Sequence, residues 1–122
     1  DFTYIDDLVT ALIALINFPP KNCLTYQNEP DEEQTSDSPV APFRVLNIGN
    51  SKPQNLMHFI TEIEHNLNTK AILNMLPMQP GDVHSTWADI SLLRDITGFT
   101  PSTSTADGIH NFINWYREYY KC

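Results

Sequence analysis

Two rhythms of apolar residues alternate along this chain, and the alternation limits what it can fold into. Leu56, Phe59, Ile60, Ile63 and Leu67 recur every three or four residues, the spacing of one helix face. Residues 43–48 and 71–76 are instead short apolar runs stopped by Gly49 and Pro77, which predicts two buried strands. Residues 4–17 open with Asp6 and Asp7 and are apolar around nearly the whole circumference. They read as a buried helix ended by Phe18-Pro19-Pro20, because proline cannot continue the hydrogen-bond ladder. Ser51 or a neighbour is expected to cap the middle helix, with Pro53 accepted in its first turn and the stripe running to about Asn68. Asp89 is the expected cap of a short helix ending before Gly98. Ser104 with Asp107 forms an S-x-x-D capping signature for a last helix striped by Ile109, Phe112, Ile113, Tyr116 and Tyr120.

The resulting order is helix, strand, helix, strand, helix, helix. It predicts an α/β fold, a small parallel sheet with flanking helices, as one domain over residues 1–122. Two strands make a thin sheet, so many of the apolar faces expect a partner domain. Residues 19–42 interrupt the pattern with five prolines and read as a surface loop.

Charge narrows the function. Of the net −8, residues 22–42 contribute five acids and no base, which leaves ten acids against seven bases elsewhere. With no basic stripe to release phosphate counterions, nucleic acid is not an expected partner. The longest apolar run, Leu8 to Ile16 broken by Thr10, is too short for a bilayer, which needs about 20 such residues. Cys23 and Cys122 form no CxxC pair, and a reducing, cytoplasmic setting fits them. The chain opens at Asp1 without an initiator methionine or a basic leader, which reads as a fragment.

Several chemistries lack their residues. The glycines, Gly49, Gly81, Gly98 and Gly108, stand too far apart for a dinucleotide-binding turn. None of the four lysines follows a tyrosine by four positions, so the acid/base pair of short-chain dehydrogenases is missing. His58, Glu62 and His65 share one side of the middle helix, opposite its apolar stripe; they read as solvent-facing polar residues and no metal site is expected. Trp87, near a strand end, reads as core.

Four phrases carry a resemblance. They are Asp1-Phe2-Thr3-Tyr4-Ile5-Asp6-Asp7, Phe43-Arg44-Val45-Leu46-Asn47-Ile48-Gly49-Asn50-Ser51, Asn74-Met75-Leu76-Pro77-Met78-Gln79-Pro80-Gly81-Asp82-Val83 with Thr86-Trp87-Ala88-Asp89, and Trp115-Tyr116-Arg117-Glu118-Tyr119-Tyr120. Together they resemble the C-terminal, substrate-binding part of UDP-glucuronate 4-epimerases, in the extended short-chain dehydrogenase/reductase superfamily. The resemblance implies a substrate-binding lobe that closes over a UDP-sugar, with NAD and the catalytic Tyr/Lys pair held by an N-terminal Rossmann domain absent from this chain. It implies that Asp82 accepts hydrogen bonds from the uridine ribose hydroxyls. Gln79 stands where related UDP-galactose epimerases carry an arginine facing the diphosphate, and Phe2 and Thr86 where those relatives place tyrosines near the nucleotide. The intact enzyme is expected to interconvert UDP-glucuronate and UDP-galacturonate by transient C4 oxidation, and this chain alone is expected to be inactive. Two alternatives stay open: a stand-alone binding or interaction module, and the same lobe of a nucleotide-sugar dehydratase or decarboxylase.

Overall fold

The computed structural model describes residues 1–20 and 42–122, so most of the acidic loop and Cys23 lie outside the described residues. Four helices follow one another: α1 (Ile5–Ile16), α2 (Leu56–Leu67), α3 (Ser91–Thr97) and α4 (Thr105–Tyr120). No strand or sheet forms among the described residues, which corrects the α/β expectation. The physical reason lies in how the two secondary structures are closed. A helix satisfies its backbone within one segment, whereas a strand needs a neighbour along each edge. Residues 43–48 contribute one bridge residue, Arg44, and residues 71–76 run without helix or turn, exposed at every position.

The helix ends follow local chemistry. The hydroxyl of Ser104 accepts the Asp107 N–H at 3.1 Å and donates to the Asp107 carboxylate at 2.6 Å, as the capping signature predicts. Asp89 lies one residue outside the α3 cap, yet its carboxylate accepts both the N–H and the hydroxyl of Ser91. Gly98 stops α3 with φ of 70°. The start of α2 differs from expectation. Asn55 is the cap, accepting the Met57 N–H at 2.8 Å, and Pro53 precedes the helix. Ser51 is instead held at φ of 56° with its hydroxyl donated to the Ala88 carbonyl, so it cannot serve α2.

Packing is pairwise, α1 against α3 and α2 against α4. Ala11, Ile90 and Leu93 form the better-closed core, with Leu15, Ile48, Ala88 and Phe99 around it. Ile109 and Ile113 of α4 are buried, while Phe112, Tyr116 and Tyr120 of the same stripe stay half exposed. Two burial expectations are overturned. Helix α1 buries only Ala11, leaving Ile5, Val9, Leu12, Ile13 and Ile16 open, and Trp87 is 65% exposed. Four helices of this length present more apolar faces than they have neighbours to cover.

Candidate functional site

The four residues singled out for nucleotide contact fall into two local pairs. Gln79 and Asp82 are the ends of one turn. Pro80 supplies the fixed φ of its second position and Gly81, at φ of 94°, the left-handed third, the pattern of a type II turn. Asp82 donates its N–H to the Gln79 carbonyl at 3.1 Å, and its carboxylate accepts the Gln79 N–H at 3.2 Å. One carboxylate oxygen therefore braces the turn. The other has no partner among the described residues, and Asp82 is exposed. The Gln79 amide donates back to the Pro77 carbonyl.

Phe2 and Thr86 form the second pair, joined through Asp1. The Asp1 backbone nitrogen donates to the Thr86 carbonyl at 3.0 Å, and the Asp1 carboxylate accepts the N–H groups of Ser51 at 3.0 Å and Ala88 at 3.2 Å. Gly49 packs beneath this latch, where a Cβ would lie 2.6 Å from the Ala88 Cβ. Asp7 does the same work at the other end of the lobe, accepting Ser102 and Thr103 N–H groups. Neither Asp1 nor Asp7 figured among the expected site residues. Their signal in the sequence was hidden, because an acid beside a helix start also reads as a dipole partner.

Phe2 stacks on Phe59 with ring centroids 4.1 Å apart. It also lines an apolar groove of about 520 Å³ between α2 and α4, walled by Ile63, Ile109, Phe112 and Tyr116. The Thr105 hydroxyl is buried there without a partner among the described residues. Asp82, Gln79 and Thr86 are not in the groove's lining.

On α2, His58 and Glu62 stand 3.5 Å apart on the exposed side. No three His, Cys, Asp or Glu side chains converge as metal ligands among the described residues, and no helix there is long and apolar enough to cross a membrane. Cys122 is exposed. The Lys70 ammonium, 2.6 Å away, and then the Ala71 N–H hold the Glu64 carboxyl below its ordinary range. Ser91 does the same to Asp89 through its hydroxyl and then its N–H. A depressed folded value means stability that is present above the ordinary carboxylate range and lost as pH falls through the folded value. Acid titration followed by amide exchange should therefore release Ala71 and Ser91 below the ordinary carboxylate pH. Glu64→Gln should remove the pH dependence at Ala71 and leave that at Ser91. An unchanged Ala71 profile in the variant would contradict the assignment.

The described residues form a lobe of exposed turns and open apolar faces, and the sequence holds no glycine-rich phosphate loop. Comparison with known proteins finds relatives named as nucleotide-sugar epimerases. No protein-family model matches the chain. It is 44% identical over 99% of its length to a probable UDP-glucuronate 4-epimerase of Rhizobium meliloti, of which it covers 35%. It is 34% identical over 98% of its length to UDP-glucuronate 4-epimerase 4 of Arabidopsis thaliana, of which it covers 26%. A third relative, the "Uncharacterized 37.6 kDa protein in cld 5'region" of Escherichia coli O111:H-, is 47% identical over 99% of the chain, which covers 35% of it. The chain is thus homologous to one portion of the UDP-glucuronate 4-epimerases, consistent with their C-terminal part, and spans about a third of the length of the bacterial relatives.

Proposed function

We propose that this chain is the nucleotide-gripping portion of an enzyme that interconverts UDP-glucuronate and its C4 epimer. The observation that carries the reading is identity of 32–44% along nearly the whole chain to proteins named UDP-glucuronate 4-epimerase. The turn geometry supports it. A carboxylate with one oxygen fixed by its own turn and the other open is oriented in advance for a pair of ribose hydroxyls, which lowers the ordering cost of binding. Phe2 and Thr86, tied through Asp1, offer a flat ring and a hydroxyl for the nucleotide. Gln79 offers an amide and no charge, so diphosphate neutralisation falls to residues elsewhere.

This chain's residues do not fit NAD. Gly49 is packed against Ala88, Gly81 serves the turn, Gly98 ends α3 and Gly108 lies under the Tyr4 ring. Any hydride and proton transfer belongs to the remaining length of the enzyme, and these residues supply orientation remote from the reacting carbon.

The test grafts this chain in place of the matching portion of the Rhizobium meliloti relative. Asp82→Ala in that protein should raise KM for UDP-glucuronate by about tenfold, the loss of roughly one charge-assisted hydrogen bond, with a smaller change in kcat. An unaltered KM would remove Asp82 from the binding role. The 122-residue chain with added NAD should give no turnover, and measurable conversion would refute its assignment as a non-catalytic portion.

A further inference from the structure

We propose that the aromatic stripe of α4 is a self-association surface, closing against the same helix of a second copy of this chain in antiparallel register. Helix α4 packs on α2 and buries Ile109 and Ile113, yet Phe112, Trp115, Tyr116, Tyr119 and Tyr120 stay 42–66% exposed. These five recur at three- and four-residue spacing and so share one broad side of the helix. No Asp, Glu, Lys or Arg falls between Gly108 and Tyr116, so this stretch of a chain with net charge −8 carries nothing to repel a copy of itself. The rings already order one another. Trp115 stacks on Tyr119 with centroids 5.5 Å apart, Phe112 lies 5.7 Å from Trp115, and Tyr116 lies 4.6 Å from Tyr120. Side chains held in place before contact lose little rotamer freedom when contact is made.

Three properties select a second copy as the occupant. Composition is the first. The open side chains of α1 are aliphatic and offer water nothing, whereas tyrosine and tryptophan carry a polar tip that stays hydrated in the free chain and a ring that dries on contact. Such residues suit a surface that opens and closes. Area is the second. An aromatic side chain carries about 200 Å², so five half-open rings present about 500 Å² per copy and about 1,000 Å² for a pair, where specific association begins. Symmetry is the third. Phe112 stands three positions before Trp115 and Tyr119 four after, so a twofold axis at Trp115 brings Phe112 of each copy against Tyr119 of the other. The helix dipoles oppose in that arrangement. It also sets the two exposed Cys122 thiols at opposite ends of a helix of 16 residues, about 24 Å long.

Sedimentation equilibrium of the 122-residue chain over about 1–100 µM tests this. A monomer–dimer equilibrium is expected, and added salt should favour the dimer by screening the repulsion between two chains of net charge −8. Trp115→Lys should weaken association at least about a hundredfold and leave the helical circular dichroism unchanged, because the ring is already half exposed in the single chain. Ile16→Lys, on the open aliphatic side of α1, should leave the dimer intact. In a Cys23→Ser background, mild oxidation should not join the copies through Cys122. A monomer across the whole range overturns the proposal, as does a dimer that Ile16→Lys breaks and Trp115→Lys spares. Ready disulfide formation at Cys122 overturns the antiparallel register. Slower hydrogen exchange along α4 in a monomeric graft than in the monomeric chain would give the stripe to the rest of the longer protein, and would overturn the proposal too.

Discussion

Leu93→Ala should lower the melting temperature of the isolated chain by more than 10 °C, or abolish its cooperative melt altogether. Among the described residues Leu93 is the one large side chain with no exposure, at the meeting of α1, α3 and residues 88–90. Truncating a buried leucine costs about 2–5 kcal/mol, part lost transfer energy and part cavity. In a domain of this size each kcal/mol moves the midpoint by roughly 4–8 °C. The core offers little reserve, since among the described residues only Ala11, Ile90, Ile109 and Ile113 join Leu93 as buried apolar residues. Thermal unfolding followed by circular dichroism measures the effect, with Leu92→Ala, at a neighbour that is 37% exposed, as the control. Equal shifts in the two variants would mean that the core is elsewhere.

An alanine at position 49 should be the second most damaging change. Its Cβ would meet the Ala88 Cβ at 2.6 Å and the Asp1 carboxylate at 3.0 Å. The Ala88 contact cannot be relieved by rotating a flexible side chain, so residues 49–51 or 86–88 must move. Overpacking of this kind costs about 1–3 kcal/mol. The shift also pulls the Asp1 carboxylate from the Ser51 and Ala88 N–H groups, so faster exchange at Ala88 should accompany the lower melting point. A melting point unchanged within error would show that the two segments do not touch.

What could be read from the residues divides by the range of the interactions involved. The start of the last helix was legible to the residue, because Ser104 and Asp107 cap it through contacts three positions apart. The start of α2 was misplaced because Ser51, Asn55 and Pro53 all qualify locally, and the choice is made by Asp1 and Ala88, far along the chain. The strands failed for the same reason in a stronger form. Residues 43–48 and 71–76 carry the composition of strands, but pairing depends on a neighbour that no property of the segment supplies. Helix α1 was recognised and its burial was not, since an all-round apolar helix says what it needs and not what is present. At the site, Pro80-Gly81 fixed the turn, and the carboxylate of Asp82 was found bracing it. Asp1 was passed over because its partners stand 50 and 87 positions away.

Those separations carry a consequence for synthesis. The fastening at Asp1 joins residues 87 positions apart, so on the ribosome it stays undone until 87 further residues have followed Asp1. Helices α1 and α2 can wind as they appear, on a timescale far shorter than elongation. The Phe2–Thr86 edge, in contrast, comes together only with the arrival of residues 86–88. Assembly of this edge therefore waits on residues made long after Asp1 itself.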